Sequence, residues 1–179
     1  MLAERSARRG TFTLASGRES SLYIDARLTT MSPDGLSLIG PLALGELERL
    51  AWKVDAVGGL TLGADPISYA IAYASDVVGR RVRAFTVRKA PKVHGTGRQV
   101  EGPFKAGDRV AVIEDVITTG GSALKAVEAI RREGGDVAGV LALVDREEGG
   151  REALEQAGLE VHALARASEI IARMEPDAG

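Results

Sequence analysis

Two acids, Glu114 and Asp115, stand directly before the run Val116-Ile117-Thr118-Thr119-Gly120-Gly121-Ser122. Ahead of them lies a β-branched run, Val110 to Ile113, and behind them an alanine-rich stretch of helical character. Small residues at a helix start leave backbone N–H groups free, and the helix dipole favours an anion there. Thr118 to Ser122 therefore reads as a phosphate cradle. The two carboxylates cannot bind phosphate. They suit hydroxyl groups, a developing positive charge or a hydrated metal ion. Phosphate at one end and polyol or cation at the other describes a phosphorylated ribose.

A Gly-Gly pair before a helix is often only a tight turn, and two acids at a strand end are usually solvated. The complete order of strand, acid pair, Thr-Thr-Gly-Gly-Ser and helix is much rarer. It is not a Walker A loop, because no Lys precedes Ser122. It is not a dinucleotide fingerprint either, since G-x-G-x-x-G is absent.

A second segment gathers cations: Arg88-Lys89-Ala90-Pro91-Lys92-Val93-His94-Gly95-Thr96-Gly97. The plain reading is a solvated basic loop. The functional one is a clamp for a diphosphate, with the Arg fork and Lys point charges meeting its negative oxygens. His94 titrates near neutrality and suits a proton or hydrogen bond to departing oxygens. No aromatic side chain is present for stacking on bases.

The elements that must hold these groups are legible from periodicity. Leu2 to Arg9 suggests a short helix, and Thr11 to Leu14 with Leu22 to Asp25 suggest a hairpin turning at Ser16-Gly17. Ser32-Pro33 starts a helix running to about Trp52, with a kink at Pro41. A strand at Val54 to Leu60, a loop at 61–66 and a helix from Ile67 to about Val78 follow. Arg81 to Val87 is a strand, and residues 89 to 108 read as one long loop. After the acid-bearing strand come a helix from about Gly121 to Glu133, a strand at Val137 to Val144, and a helix from Arg151 to Ala157. A strand at Leu159 to Ala165 leads into a terminal helix. Such alternation argues for an α/β fold with a parallel sheet covered on both faces. Four loops, 61–66, 88–103, 114–122 and 145–150, would then converge at the carboxyl ends of its strands.

Composition narrows the field further. A chain of 179 residues fits one domain. Aromatics are only 4%, so the core must be aliphatic. A net charge of −2 offers no global basic field for nucleic acid. Without cysteine, and with only His94 and His162, transition-metal sites have few ligands. No 18-residue apolar run suggests a membrane span, and the N-terminus lacks the apolar stretch of a signal peptide. A cytoplasmic protein is expected. Trp52 and His162 read as packing or surface residues, and Tyr69 and Tyr73 share a helix face turned to the core or to a subunit interface.

The acid pair and Thr-Thr-Gly-Gly-Ser run resemble the phosphoribosyl diphosphate (PRPP) signature of the type I phosphoribosyltransferases. The pattern R-K-x-x-K-x-H-G-x-G at 88–97 resembles the loop of the orotate phosphoribosyltransferases within that group. Phe12 to Gly17, Ser20 to Asp25, Val100-Glu101-Gly102 and Asp145-Arg146 fit the same family, so the likeness covers roughly residues 10 to 165. It implies a central parallel sheet flanked by helices, with a small N-terminal hood at about 1–30 and a PRPP-binding core at about 50–165 in a single domain, 1–179. It implies transfer of the 5-phosphoribosyl group from PRPP to orotate, with Mg²⁺ carried mainly by PRPP and no side chain assigned as a direct metal ligand. Arg88, Lys89, Lys92, His94, Glu114, Asp115, Val116, Ile117, Thr118, Thr119, Gly120, Gly121 and Ser122 would bind PRPP. Lys89, Lys92, His94, Glu114 and Asp115 would be catalytic. Thr118 and Arg146 would hold orotate. A homodimer is implied, with Arg88 and Lys89 reaching the neighbouring site. The alternatives are another base as acceptor, or a non-catalytic RNA-binding regulator on this fold. Two departures stand out: many bacterial relatives carry Lys at the position of Ala15, and some also at that of Gly63. Backbone amides near Leu62 to Ala64, or Arg18, would have to serve instead. Without the other motifs, Asp145-Arg146 would read as a local surface ion pair.

Overall fold

Short β-branched runs alternate with amphipathic segments along most of the chain, and each apolar face needs a partner. A computed structural model describes residues 1–13, 19–91 and 98–174. The proposed hairpin turn at 16–17, Ala15, Arg18, Lys92 and His94 lie outside the described residues. A helical turn, Leu2–Ser6, leads into β1 (Ala7–Thr13), which pairs antiparallel with β2 (Glu19–Ile24). Next come α1 (Arg27–Thr30), α2 (Pro33–Arg49), β3 (Ala56–Leu60), α3 (Ala64–Val77) and β4 (Arg83–Val87). The chain continues through β5 (Val100–Glu101), β6 (Arg109–Ile117), α4 (Gly121–Arg132) and β7 (Asp136–Asp145). It ends its described part with α5 (Gly150–Gln156), β8 (Val161–Arg166) and α6 (Ala167–Ile171).

The main sheet has the order β5-β4-β3-β6-β7-β8. Its pairs are parallel except β4 with β5. Helices cover both faces, as the alternation predicts. Strand β6 shows why: Ala111 and Ile113 join Ile39, Leu44 and Leu47 of α2 and Ile67 and Ile71 of α3 on one face. Val110 and Val112 meet Ala126, Val127 and Ile130 of α4 and Leu154 of α5 on the other. Successive strand residues face opposite ways, so a strand buried on both sides must be apolar throughout. Burying each such aliphatic side chain contributes about 1.5–3 kcal/mol. The hairpin has no core of its own. Ala7, Leu22, Ile24 and Ala26 belong to the buried layer shared with α2 and α3.

Several local expectations are corrected. The helix expected over Leu2 to Arg9 stops at Ser6, because Ala7 and Arg8 gain cross-strand partners in Ile24 and Tyr23. The 89–108 segment is not wholly loop, since Val100 and Glu101 pair with Val87 and Thr86. The acid-bearing strand does not end at Ile113 but runs on beside β7 to Ile117. Tyr69 and Tyr73 do not enter the core; both are exposed. The Ser32 cap does form, accepting from Gly35 N at 3.1 Å, and α2 continues through Pro41 as one helix. Trp52 is buried, donates through Nε1 to Glu160 at 3.1 Å and meets the His162 ring edge-on, the packing role expected.

Candidate active site

Strand order decides where a ligand can sit. From β3 the chain moves to β4 on one side, then returns to place β6 on the other. The loops leaving β3 and β6 therefore diverge, and a crevice opens between them at the strands' carboxyl ends. A cleft of about 410 Å³ occupies that place, within the size range of small-molecule sites. Leu60 to Gly63 form one wall, Glu114, Asp115, Val116, Thr118 and Ser122 another. Lys89, Arg146 and the hairpin end from Tyr23 to Arg27 complete it. Three of the four loops expected to converge are joined here with the start of the cationic segment.

Extension of β6 gives the two acids different surroundings. Asp115 faces the β3 loop, where Gly63 approaches so closely that any β-carbon would collide with its carboxylate. A side chain at that position, such as the Lys of relatives, would need the Asp115 carboxylate to turn aside. Glu114 borders a small cavity of about 30 Å³ with Val116 to Ser122. It is buried, and its Oε2 has no hydrogen-bond partner among the described residues. Burial first, and then the adjacent Asp115, push its carboxyl up to about 9.

The same small cavity gathers the predicted phosphate cradle. Gly120 caps α4 with φ +79° and admits no side chain, because a β-carbon would fall 2.9 Å from Gly150 O. Gly121 and Ser122 then present the first N–H groups of α4, which lack intrahelical acceptors. Ile117 points into the aliphatic core beside α4 and can serve the cavity only through its backbone.

Arg146 is buried and is not paired with Asp145. Asp145 takes the Arg151 guanidinium at 2.8 Å and the Glu147 N–H at 2.8 Å, which removes the local ion-pair reading. Arg146 Nη2 lies 2.9 Å from Ser20 Oγ, 2.9 Å from Leu22 O and 2.6 Å from Glu148 Oε1. It thereby ties the hairpin to the sheet. Its Nε is buried with no partner among the described residues. A buried N–H left open beside a cleft can donate to an acceptor on a ligand. Arg88 does not line the cleft; its guanidinium lies 3.7 Å from Glu101.

Sequence reasoning missed two groups. Arg27 stands at the cleft rim in a two-bond pair with Asp25, at 2.8 and 3.0 Å, which holds the Asp25 carboxyl below its usual range. The Asp-x-Arg spacing was visible, but nothing in it said that a four-residue helix follows. Asp65 accepts from Thr61 Oγ1 at 2.7 Å and Thr86 Oγ1 at 2.8 Å. It locks the β3 loop to β4. Only the parallel pairing of those strands brings Thr86 within its reach.

This cleft at the switch point of a mostly parallel sheet, with an acid pair feeding a Thr-Thr-Gly-Gly-Ser cradle, defines a type I phosphoribosyltransferase. An Aquifex aeolicus orotate phosphoribosyltransferase is 52% identical over 160 residues, covering 89% of this chain and 86% of that one. The chain belongs to the orotate phosphoribosyltransferase family. The Mycobacterium tuberculosis orotate phosphoribosyltransferase, solved in complex with Fe(III) dicitrate, superposes with a TM-score of 0.83 at 43% identity, covering 94% of each chain. The same enzyme in complex with PRPP gives a TM-score of 0.79 at 40% identity, covering 94% of this chain and 93% of that one. No family model matches the chain.

The raised Glu114 carboxyl has a stability consequence. The folded protein keeps a proton that the unfolded chain releases near 4.5, so stability falls as pH rises from there towards 9. The limiting slope is about 1.4 kcal/mol per pH unit. Glu114→Gln, neutral at every pH, should melt higher than wild type, by a margin that widens from about pH 5 to pH 9. Equal melting temperatures across that range would mean that Glu114 is ionised in the resting fold.

Proposed function

We propose that the chain transfers the 5-phosphoribosyl group of PRPP to orotate, giving orotidine 5′-monophosphate and diphosphate, a step of pyrimidine nucleotide synthesis. The observation that carries this reading is one cleft holding the acid pair, the α4 cradle, Lys89 and the unsatisfied Arg146 Nε together. A PRPP complex of a close structural relative supports the donor. The decisive assay is consumption of orotate with PRPP and Mg²⁺, run against hypoxanthine, adenine and uracil. Turnover of another base in place of orotate would overturn the acceptor.

The α4 N-terminus binds the 5′-phosphate through main-chain N–H groups of Gly120 to Ser122 and the hydroxyls of Thr118, Thr119 and Ser122. Glu114 and Asp115 bind the ribose hydroxyls. Asp115 also faces positive charge developing at the anomeric carbon, and the protonated Glu114 donates a hydrogen bond. Arg146, with Thr118, orients the orotate carboxylate. Lys89 draws off charge building on the diphosphate, and the family resemblance adds Lys92 and His94 to it. No protein nucleophile is needed; positioning and preorganised charge carry the reaction. Among the described residues no group of three acidic or histidine side chains could hold a metal ion. Mg²⁺ carried by PRPP would supply charge neutralisation to the departing diphosphate.

The chain works as a single domain and as a cytoplasmic homodimer. A groove of about 400 Å³ between α2 and α3, lined by Pro41, Leu44, Ala70, Tyr73 and Val77, is the apolar surface that supports a second copy. No helix among the described residues is long and apolar enough to cross a membrane. Lys89 touches the cleft of its own chain, while the family resemblance implies that it serves the neighbour; the dimer lets one segment border both.

Three outcomes follow. Asp115→Asn keeps shape but loses charge, and kcat should fall by roughly tenfold to a thousandfold. A change confined to KM for PRPP would remove its electrostatic role. Arg146→Ala should raise KM for orotate more than KM for PRPP, through loss of a charged hydrogen bond worth about 1.5–3 kcal/mol. Equal changes would leave Arg146 only its anchoring of Ser20 and Leu22. Mixing the impaired Lys89→Ala and Asp115→Asn subunits should raise activity above that of either variant alone, since one site per mixed dimer then holds both native groups. Absence of recovery would place Lys89 in its own chain's site.

A further inference from the structure

Arg88 and Lys89 leave the sheet at the end of β4, and the chain returns through Gln99 into β5. The two ends of this excursion are fastened to each other. Arg88 N donates to Gln99 O at 2.9 Å, and Gln99 Nε2 donates back to Arg88 O at 2.8 Å. One residue thus holds both sides of Arg88. Gln99 is in turn held from α4. Glu133 Oε1 accepts from Gln99 N at 2.7 Å and from Val100 N at 2.9 Å, while Arg132 Nη1 donates to Gln99 Oε1 at 3.1 Å.

Glu133 stands at the C-terminal end of α4, where the helix dipole is negative and a carboxylate is unfavourable. Two charge-assisted main-chain bonds to one oxygen offset that cost and fix a direction that a single bond would not. The other end of α4 is the Gly120–Ser122 cradle. Twelve residues of helix form a strut of about 18 Å between them. Cradle and neck are therefore referred to one rigid element.

We propose that Glu133 is a positioning residue of the reaction: through Gln99 and Arg88 it sets how Lys89 is presented to the diphosphate. This rests on the reading of Lys89 as a diphosphate contact. Glu133 lines no part of the reaction cleft, so it acts only through the neck.

The test is a double-mutant cycle in the full chain, with orotate and PRPP kinetics measured well below each variant's melting temperature. Glu133→Ala should lower kcat by about tenfold to a hundredfold, the cost of a small misplacement of a reacting group. KM for PRPP should rise and KM for orotate stay unchanged. Glu133→Gln should recover most of the loss, because its amide oxygen can accept the same two N–H groups. In a Lys89→Ala background, Glu133→Ala should add little. Gln99→Ala, which cuts the side-chain link to Arg88 but leaves the main-chain bonds, should show the same pattern and serves if Glu133→Ala does not fold. The proposal is overturned if Glu133→Ala lowers only the melting temperature, or if its kinetic loss is as large without Lys89 as with it. If Lys89→Ala alone leaves kcat and KM for PRPP unchanged, the reading of Lys89 fails first, and the route from Glu133 fails with it.

Discussion

The pairing of β6 between β3 and β7 is the interaction on which the cleft depends. Because β6 is parallel to both neighbours and apolar on both faces through Ile113, it is buried there and fixed in register. Its far end then delivers Glu114 and Asp115 to the point between β3 and β6 where neighbouring loops part. A one-residue slip would exchange the two acids' surroundings and turn Val110 and Val112 towards the wrong layer. The core thereby sets the position of charged groups that contribute nothing to it.

Those charged groups are left incompletely satisfied. Glu114 keeps a buried oxygen without a partner, and Arg146 a buried Nε. Unmet polar groups of this kind destabilise a fold by about 1–3 kcal/mol each. Both border the same cleft, where a polyol and a carboxylate would supply what the protein withholds. By contrast Asp65, Asp145 and Asp108, equally buried, are fully engaged with Thr61 and Thr86, with Arg151, and with Arg83. Among these five buried ionisable side chains, the two with an open polar atom are the two that border the cleft.

Helix α4 links the parts. Its N-terminus closes the small cavity beside Glu114, its apolar face seals the sheet through Ala126, Val127 and Ile130, and the residues at its C-terminus grip the root of the cationic segment. A rigid helix of this length transmits position with little slack. The hairpin is tied in differently, through Arg146 to Ser20 and Leu22 and through a shared aliphatic layer.

The alternation of apolar runs determined the α/β class, and residue types around 114–122 determined a phosphate-and-polyol chemistry, because both are local properties of spacing. The Ser32 cap and the Gly120 turn were legible for the same reason. Boundaries were less so: β1 outcompeted a helix at Ala7 and β6 ran on to Ile117, since both gain hydrogen bonds from partners remote in sequence. The tertiary structure alone decided that Asp145 serves Arg151 and leaves Arg146 to the cleft, that Gly63 lies against the Asp115 carboxylate, and that Arg27, Asp65 and Glu133 matter at all. Each of these depends on strand order and register, which bring together residues that no spacing along the chain relates.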